Sequence, residues 1–541
     1  MVNKKKLQVW LPLLLSLCVI AGMFVGYRIR GNMPNKGIFF VENPKPVQEV
    51  LDLIKRKYVD DVNVDSLSNV ALQTILSGLD PHSVYIPPQR LKEVNEDLQG
   101  VFYGIGVEFT VIDDTTNIIR VVEGGPSEKS GLKPGDKFIK VNDSTIAGNH
   151  TSEETLKELM RGKGGSKVKV TVFRNGKELT VDLTRGPVRL YSVDASYMIN
   201  DTTGFIRINK FSETTYKEFM SAMEKLNKEG MKALILDLRD NGGGILTEAT
   251  HIADEFLSED KLITYTEGAH VPKKEYKCDK EGVFEKGTLI VLINEGTASA
   301  SEVLAGALQD WGRATIVGRR SFGKGLVQEQ YELSDGSGLR LTVARYYTPL
   351  GRSIQRPYTN GNEDYYHDLI DRFKHGEMEY ADSIKHTDQK KYVTANGRVL
   401  YGGGGITPDV FVPVDTLTFE KAVMKALLKG TINEFVFLNY IHNQEQFEQY
   451  KTPAQFEDQY LPSDSLLAHL KRFAAKDSIQ FNLLDKNEKK QLATQLKTQT
   501  AKLIWGTQGF FQIRNYFDPM VDSAKRILNI NSHADTLQKH K

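Results

Sequence analysis

Cysteine is nearly missing from this chain: among 541 residues there are two, Cys18 and Cys278. Cys18 sits in an apolar N-terminal stretch, so the rest of the chain carries one thiol and no disulfide framework. An excess of either charge is missing too. Lys plus Arg is 70 and Asp plus Glu is 69, which leaves no basic surplus for nucleic acid. With no H-E-x-x-H and no Cys/His cluster, a zinc centre lacks a ligand set. No internal repeat or low-complexity tract points to a solenoid or a linker. These exclusions leave a globular, cofactor-independent chain, long enough for two to four domains.

What is present starts at the N-terminus. Lys4, Lys5 and Lys6 precede the uncharged "LQVWLPLLLSLCVIAGMFVGY", residues 7–27. Twenty-one residues suit one bilayer crossing, with the lysines cytoplasmic and the rest exported. A cleavable signal peptide is the alternative reading. The expected location is a bacterial inner membrane, single-pass, with the bulk of the chain periplasmic.

Residues 31–98 read as helical, with Val47, Val50, Leu51, Ile54 and Tyr58 at helical spacing. Within it lies a turn-rich stretch, "LDPHSVYIPP", residues 79–88. Residues 99–187 change to short β-runs with glycine turns, including an Asn175-Gly176 hairpin. One helix interrupts them, its start marked by a Thr151/Glu154 capping box. Residues 188–415 alternate strand and helix, the pattern of an α/β layered domain, with a polar insertion at 355–398. Residues 416–541 are mostly helical, with a polar tail expected to fray after about Asn531.

Three stretches carry chemistry. "GTASASE" places Thr297, Ser299 and Ser301 among small residues at the start of a helix. A serine there is exposed, and free helix N–H groups can stabilise an oxyanion. The bland alternative makes Ser299 an N-cap and Ser301 a first-turn residue. No histidine lies within 25 residues on either side. "SFGKGLVQEQ" sets Lys324 between two glycines beside Phe322, Leu326 and Val327. Desolvation lowers a lysine's pKa, and bringing it from about 10.4 to about 7 takes roughly 4 to 5 kcal/mol. If "KGLVQ" is a strand, Lys324, Leu326 and Gln328 share one side. Alone, this stretch reads rather as a glycine loop with a surface lysine. "DLRDNGGG" comes after a buried strand, and its glycines let the backbone approach a ligand closely. It contains neither GxGxxG nor GKS, so it makes a poor phosphate loop.

The order of these three stretches resembles the C-terminal processing peptidases, serine peptidases with a Ser–Lys dyad. The resemblance spans residues of about 90–415, and "DPHSVY" also fits. It implies Ser299 as nucleophile, Lys324 as general base and Gln328 as the residue holding the lysine. Backbone N–H groups of Gly244 and Ala300 would form the oxyanion hole, with Gly243 the alternative donor. It also implies a crotonase-like catalytic core. "FYGIG" with "GGPSEKSGLKPGDKFIKVND" resembles a circularly permuted PDZ domain. Its Tyr103, Gly104, Ile105 and Gly106 backbone would take a substrate's C-terminal carboxylate, the substrate adding as a strand. Protein C-termini are therefore the expected partners, with an adaptor or a second copy as further candidates. A silent PDZ adaptor on the same fold is the alternative function. Two look-alikes are set aside. Ser321-Phe-Gly-Lys324 is formally S-x-x-K but lacks K-T-G and a helix. His251 reads as a packed or rim residue.

Overall fold

The computed structural model describes Trp10, Pro12 and residues 15–24, 46–359, 361–385, 390–414 and 420–538. The expected crossing at 7–27 lies partly outside these. Residues 15–24 are helical, and among the described residues no helix is long and apolar enough to cross a membrane. The chain divides into two units, Met1–Leu72 and Gln73–Lys541. In the first, Pro46–Lys57 is a helix with no buried residue, and Val47 and Val50 are exposed.

In the second unit, the turn-rich stretch at 79–88 is not only a turn. Val84–Ile86 is a short strand pairing antiparallel with Gly338–Tyr347, which joins "DPHSVY" to a sheet more than 250 residues downstream. The β-rich region forms the strand order Val107–Ile112, Thr115–Val121, Lys137–Val141, Lys167–Arg174, Lys177–Thr184. Asn175 and Gly176 make the expected hairpin turn, with φ of +50° and +79°. The helix cap shifts by one residue from expectation. Ser152 caps Glu153–Met160 by accepting the Thr155 N–H, while the Thr151 hydroxyl donates to the Ile146 carbonyl.

The α/β region is built on a six-stranded sheet. Its order is Val193–Asn200, Thr203–Ile208, Ala233–Asp237, Thr288–Ile293, Thr315–Gly318, Val410–Phe411. The first pair is antiparallel and the other four are parallel. Strands such as "ALILD" and "TLIVLI" are apolar but for one end residue each, because helices cover both faces. Thr215–Lys228, Leu246–Asp254 and Ala300–Asp310 supply one cover. Phe511, Met520, Val521 and Ala524 of the C-terminal helices supply the other. The last helix runs Pro519–Gln538, past the expected fraying point, since no glycine or second proline interrupts it after Pro519.

All eleven residues of Ala300–Asp310 are buried, so its charges need internal partners. Asp310 accepts from Arg352 Nε at 3.0 Å and Nη2 at 2.5 Å, and Arg352 is only 1% exposed. Arg352→Met strands Asp310 without its cation, and urea unfolding is expected to show a loss of about 3 kcal/mol. An unchanged midpoint would mean the pair contributes no such stability.

Long helix Lys486–Arg514 breaks at Gly506, whose φ is +66° and ψ −156°. A Cβ at Gly506 would sit 2.1 Å from Nη1 of Arg120 in the β-rich domain. The C-terminal helices thus pack directly on that domain, and Gly135 likewise abuts Ile441.

Candidate active site

Three neighbouring parallel strands end at one place, the usual location of ligand sites in α/β sheets. Ala233–Asp237 runs into the glycine loop, Thr288–Ile293 into "EGTASASE", and Thr315–Gly318 into the Lys324 loop. Asn241 knots the first two. Its Oδ1 accepts the Gly243 N–H at 2.9 Å. Its carbonyl accepts the Ala298 N–H and the Ser301 hydroxyl, both at 2.9 Å.

The hydroxyls separate cleanly. Thr297 and Ser301 are fully buried. Thr297 donates to the Leu238 carbonyl at 2.8 Å, and Ser301 to Asn241 as above. Ser299 is half-buried, and its hydroxyl proton has no acceptor among the described residues. It is also the N-cap of Ala300–Asp310, with φ +57° and ψ −118°. A positive φ is unfavourable for a residue with a Cβ, costing of order 1–3 kcal/mol, and such strain gathers at functional sites.

The glycine loop presses on this turn. A Cβ at Gly243 would lie 2.7 Å from Ser299 Cβ and 3.0 Å from the Ala300 nitrogen. Gly244 has φ +138°, and a Cβ there would lie 2.0 Å from the Phe211 carbonyl oxygen. The Gly243 N–H is engaged by Asn241, whereas the N–H groups of Gly244 and Ala300 have no acceptor among the described residues. Those two are free donors: Ala300 directly follows Ser299, and Gly244 follows the glycine whose Cβ would meet Ser299.

Lys324 lies in the loop before the strand Leu326–Glu332, not within it. The expected strand alternation also fails downstream, because a register shift falls between Val327 and Gln328. The Gln328 amide donates to the Leu326 carbonyl at 3.2 Å and to Thr342 Oγ1 at 3.4 Å; its Oε1 has no donor among the described residues. Burial, reinforced by Arg340, lowers the Lys324 amine to about 8, against the opposing pull of Glu302 and Asp80.

Sequence reasoning missed much of this lysine's surroundings. Asp80 accepts the N–H groups of His82 and Ser83 and the hydroxyl of Thr342. His82 Nε2 lies 2.8 Å from the Tyr365 hydroxyl, and burial with Lys324 nearby pushes its imidazole down to about 4. The insertion at 355–398 is polar for an internal reason. The Arg356 guanidinium sits 3.9 Å and 3.8 Å from the ring centres of Phe322 and Tyr365. Arg372 donates to the carbonyls of Ser321 and Phe322, and Arg320 pairs with buried Glu377. The insertion therefore roofs the Lys324 loop. Its one legible signal was arginine interleaved with aromatics. Ser321, the S-x-x-K look-alike, is buried and donates to Glu302 at 2.5 Å, and His251 is exposed against the Tyr216 ring.

In the β-rich domain, Tyr103 and Gly104 end a strand, Val101–Gly104, paired with Gly186–Arg189. Only Ile105 and Gly106 form the turn. The Ile105 side chain is in the core, 2% exposed. The carbonyls of Ile105 and Gly106 accept from Ser127 and Val122, and their N–H groups have no acceptor among the described residues. The next strand, Val107–Ile112, is the edge of its sheet.

Comparison with known proteins places these elements. Peptidase family S41 matches residues 202–363, a PDZ domain matches 104–184, and a family of unknown function matches 423–506. A probable CtpA-like serine protease of Staphylococcus haemolyticus is 34% identical over 360 residues, 65% of this chain and 72% of that protein. The carboxy-terminal processing protease CtpA of Bacillus subtilis is 36% identical over 312 residues, 57% and 66% of the two chains. Among solved structures, a photosystem II D1 C-terminal processing protease aligns at 27% identity and a TM-score of 0.34, covering 69% of this chain and 88% of that one. With glycine loop, serine turn and half-buried lysine converging at the ends of three parallel strands, and a PDZ domain preceding them in the chain, the chain belongs to the S41 serine peptidases, among the carboxy-terminal processing proteases.

Proposed function

We propose that this chain is an endopeptidase that recognises protein C-termini through its PDZ domain and cleaves by a Ser–Lys acyl-enzyme route. One observation carries the reading. The only hydroxyl of "GTASASE" whose proton has no acceptor among the described residues is Ser299, and it stands beside two free N–H donors.

The neutral Lys324 amine takes the Ser299 proton as Oγ attacks the scissile carbonyl. The N–H groups of Gly244 and Ala300 hold the developing oxyanion. The Lys324 ammonium then protonates the leaving amine, and water attacks the acyl-enzyme with Lys324 again as base. Gln328 Oε1 is the acceptor that orients the amine. His82 is the rival base. At about 4 its imidazole is neutral near pH 7 but a weak base, while a group near 8 is free in roughly a tenth of molecules and is well matched to the task. Lys324 is therefore the better base. A sheet with one antiparallel and four parallel pairings supports a crotonase-like core. The free N–H groups of Ile105 and Gly106 and the open edge of Val107–Ile112 support carboxylate capture and strand addition. Three lysines ahead of 21 uncharged residues support a single-pass anchor with the catalytic part exported.

Labelling with a fluorophosphonate tests the nucleophile: fragmentation of the labelled peptide is expected to place the adduct on Ser299. An adduct on Thr297 or Ser301 instead would overturn it. An unfolded substrate with a free apolar C-terminus is expected to be cleaved about tenfold faster than its C-terminal amide; equal rates would remove the carboxylate-capture part. Carbonate-washed membranes are expected to retain the chain, and release into the wash would remove the anchor.

A further inference from the structure

Ser299 and Lys324 sit on loops from different strands, yet the same two buried side chains hold both backbones. Glu302 is fully buried. Its Oε2 accepts the Ser299 N–H at 2.8 Å and the Lys324 N–H at 2.9 Å. Its Oε1 accepts the Gly323 N–H at 2.8 Å and the Ser321 hydroxyl at 2.5 Å. On the carbonyl side, the hydroxyl of Tyr346, 2% exposed, reaches the Ser299 carbonyl at 3.0 Å and also the Lys324 carbonyl. Each residue of the dyad thus has its N–H on Glu302 and its C=O on Tyr346.

We propose that Glu302 and Tyr346 are positioning residues that clamp the two loops together and set the register of Ser299 against Lys324. The inference rests on the Ser–Lys reading above. Glu302 suits the role because it lies on the first turn of the nucleophile's own helix, so its carboxylate travels with Ser299. Tyr346 suits it because Gly338–Tyr347 pairs with the strand that leaves Lys324. The clamp also holds Ser299 in its positive-φ conformation, which no cap of ordinary geometry would require. Glu302 has a second effect through charge. The charged groups facing Lys324 are Arg340, which disfavours its proton, and Glu302 and Asp80, which favour it; His82 stands nearby as a neutral ring. Burial pushes the Glu302 carboxyl up while its four donors pull it back.

The full-length enzyme is assayed for peptide cleavage across pH, with circular dichroism melts as the folding control. Tyr346→Phe keeps the ring and removes the hydroxyl; kcat is expected to fall at least about tenfold, with KM within about twofold. Glu302→Gln is expected to lower kcat about 100-fold and to move the acid limb below the wild-type midpoint, since the carboxylate that favours the lysine proton is gone. Glu302→Asp retains charge but not reach, so its limb stays near the wild-type position while kcat falls. A purely structural role would lower the melt without moving the limb. Tyr346→Phe with wild-type kcat, or a folded Glu302→Gln with wild-type kcat and limb, overturns the clamp. Activity surviving in Ser299→Ala would instead overturn the dyad reading itself, so the two failures are distinguishable.

Discussion

Lys324→Arg is expected to lower kcat by about 10³ to 10⁴ with KM little changed, because an arginine keeps the charge but stays protonated and cannot act as base. The loss should match that of Lys324→Ala. An electrostatic role for the ammonium alone would leave the arginine variant largely active, and that result would sink the base assignment. The wild-type pH profile is set by the same group. In the proposed mechanism only the neutral amine accepts the serine proton, so kcat/KM is expected to rise with pH and level off above a midpoint near 8. Stability rises with pH here, as it does for a carboxylate with a lowered pKa, and opposite to a lysine held charged by a partner. Lys324 binds its proton less tightly folded, at about 8, than at its ordinary 10.5. Its charging therefore opposes folding below about 8, and that penalty is relieved as pH rises towards 10.5. If the limb vanished in His82→Phe and persisted in Lys324→Arg, the base would be His82.

The second large effect belongs to the glycine loop. Gly244→Ala would drive a Cβ to 2.0 Å from a backbone oxygen at a φ of +138°. The loop must move, and its N–H leaves the oxyanion position. Loss of one such donor costs about 10² to 10³ in kcat, roughly 2.7 to 4 kcal/mol. Gly242→Ala is the internal control: a Cβ there meets nothing within 4 Å, and kcat is expected to stay within about twofold. A folded Gly244→Ala enzyme with near wild-type kcat would reassign the oxyanion donor.

Periodicity made most of the α/β core legible. Apolar runs such as "ALIL" and "LIVLI" read as strands, and the spacing of Val303, Leu304, Ala307 and Leu308 reads as a helix starting near Ser299, though it does not show that every residue of Ala300–Asp310 is buried. The Asn175-Gly176 turn was legible for the same local reason. What escaped was long-range. Nothing near Glu302 in the sequence shows that its carboxylate will meet the N–H of Lys324, 22 residues on. Likewise Asp80 and His82 reach the lysine only because Val84–Ile86 pairs with Gly338–Tyr347. The insertion at 355–398 read only as polar, because its polarity was visible and its partners were not. The strand-alternation argument for Lys324 and Gln328 failed because the lysine precedes the strand and a bulge interrupts the pairing between Val327 and Gln328.

The placement of the three loops also decides where the chain tolerates extra length. From Ser299 to Lys324 the path is one buried helix, a short return at 311–313, one four-residue strand and the lysine loop, packed except at exposed Gly312. An added residue in the buried helix or the strand slides Lys324 along Ser299. From Gly244 to Ser299, by contrast, the chain makes an excursion through the Leu262–Glu267 and Lys274–Lys277 hairpin at the edge of a second sheet. Lengthening that hairpin leaves both loop ends where the parallel strands put them. The active site is thus indexed to strand termini rather than to sequence distance, and only its shortest interval is rigid.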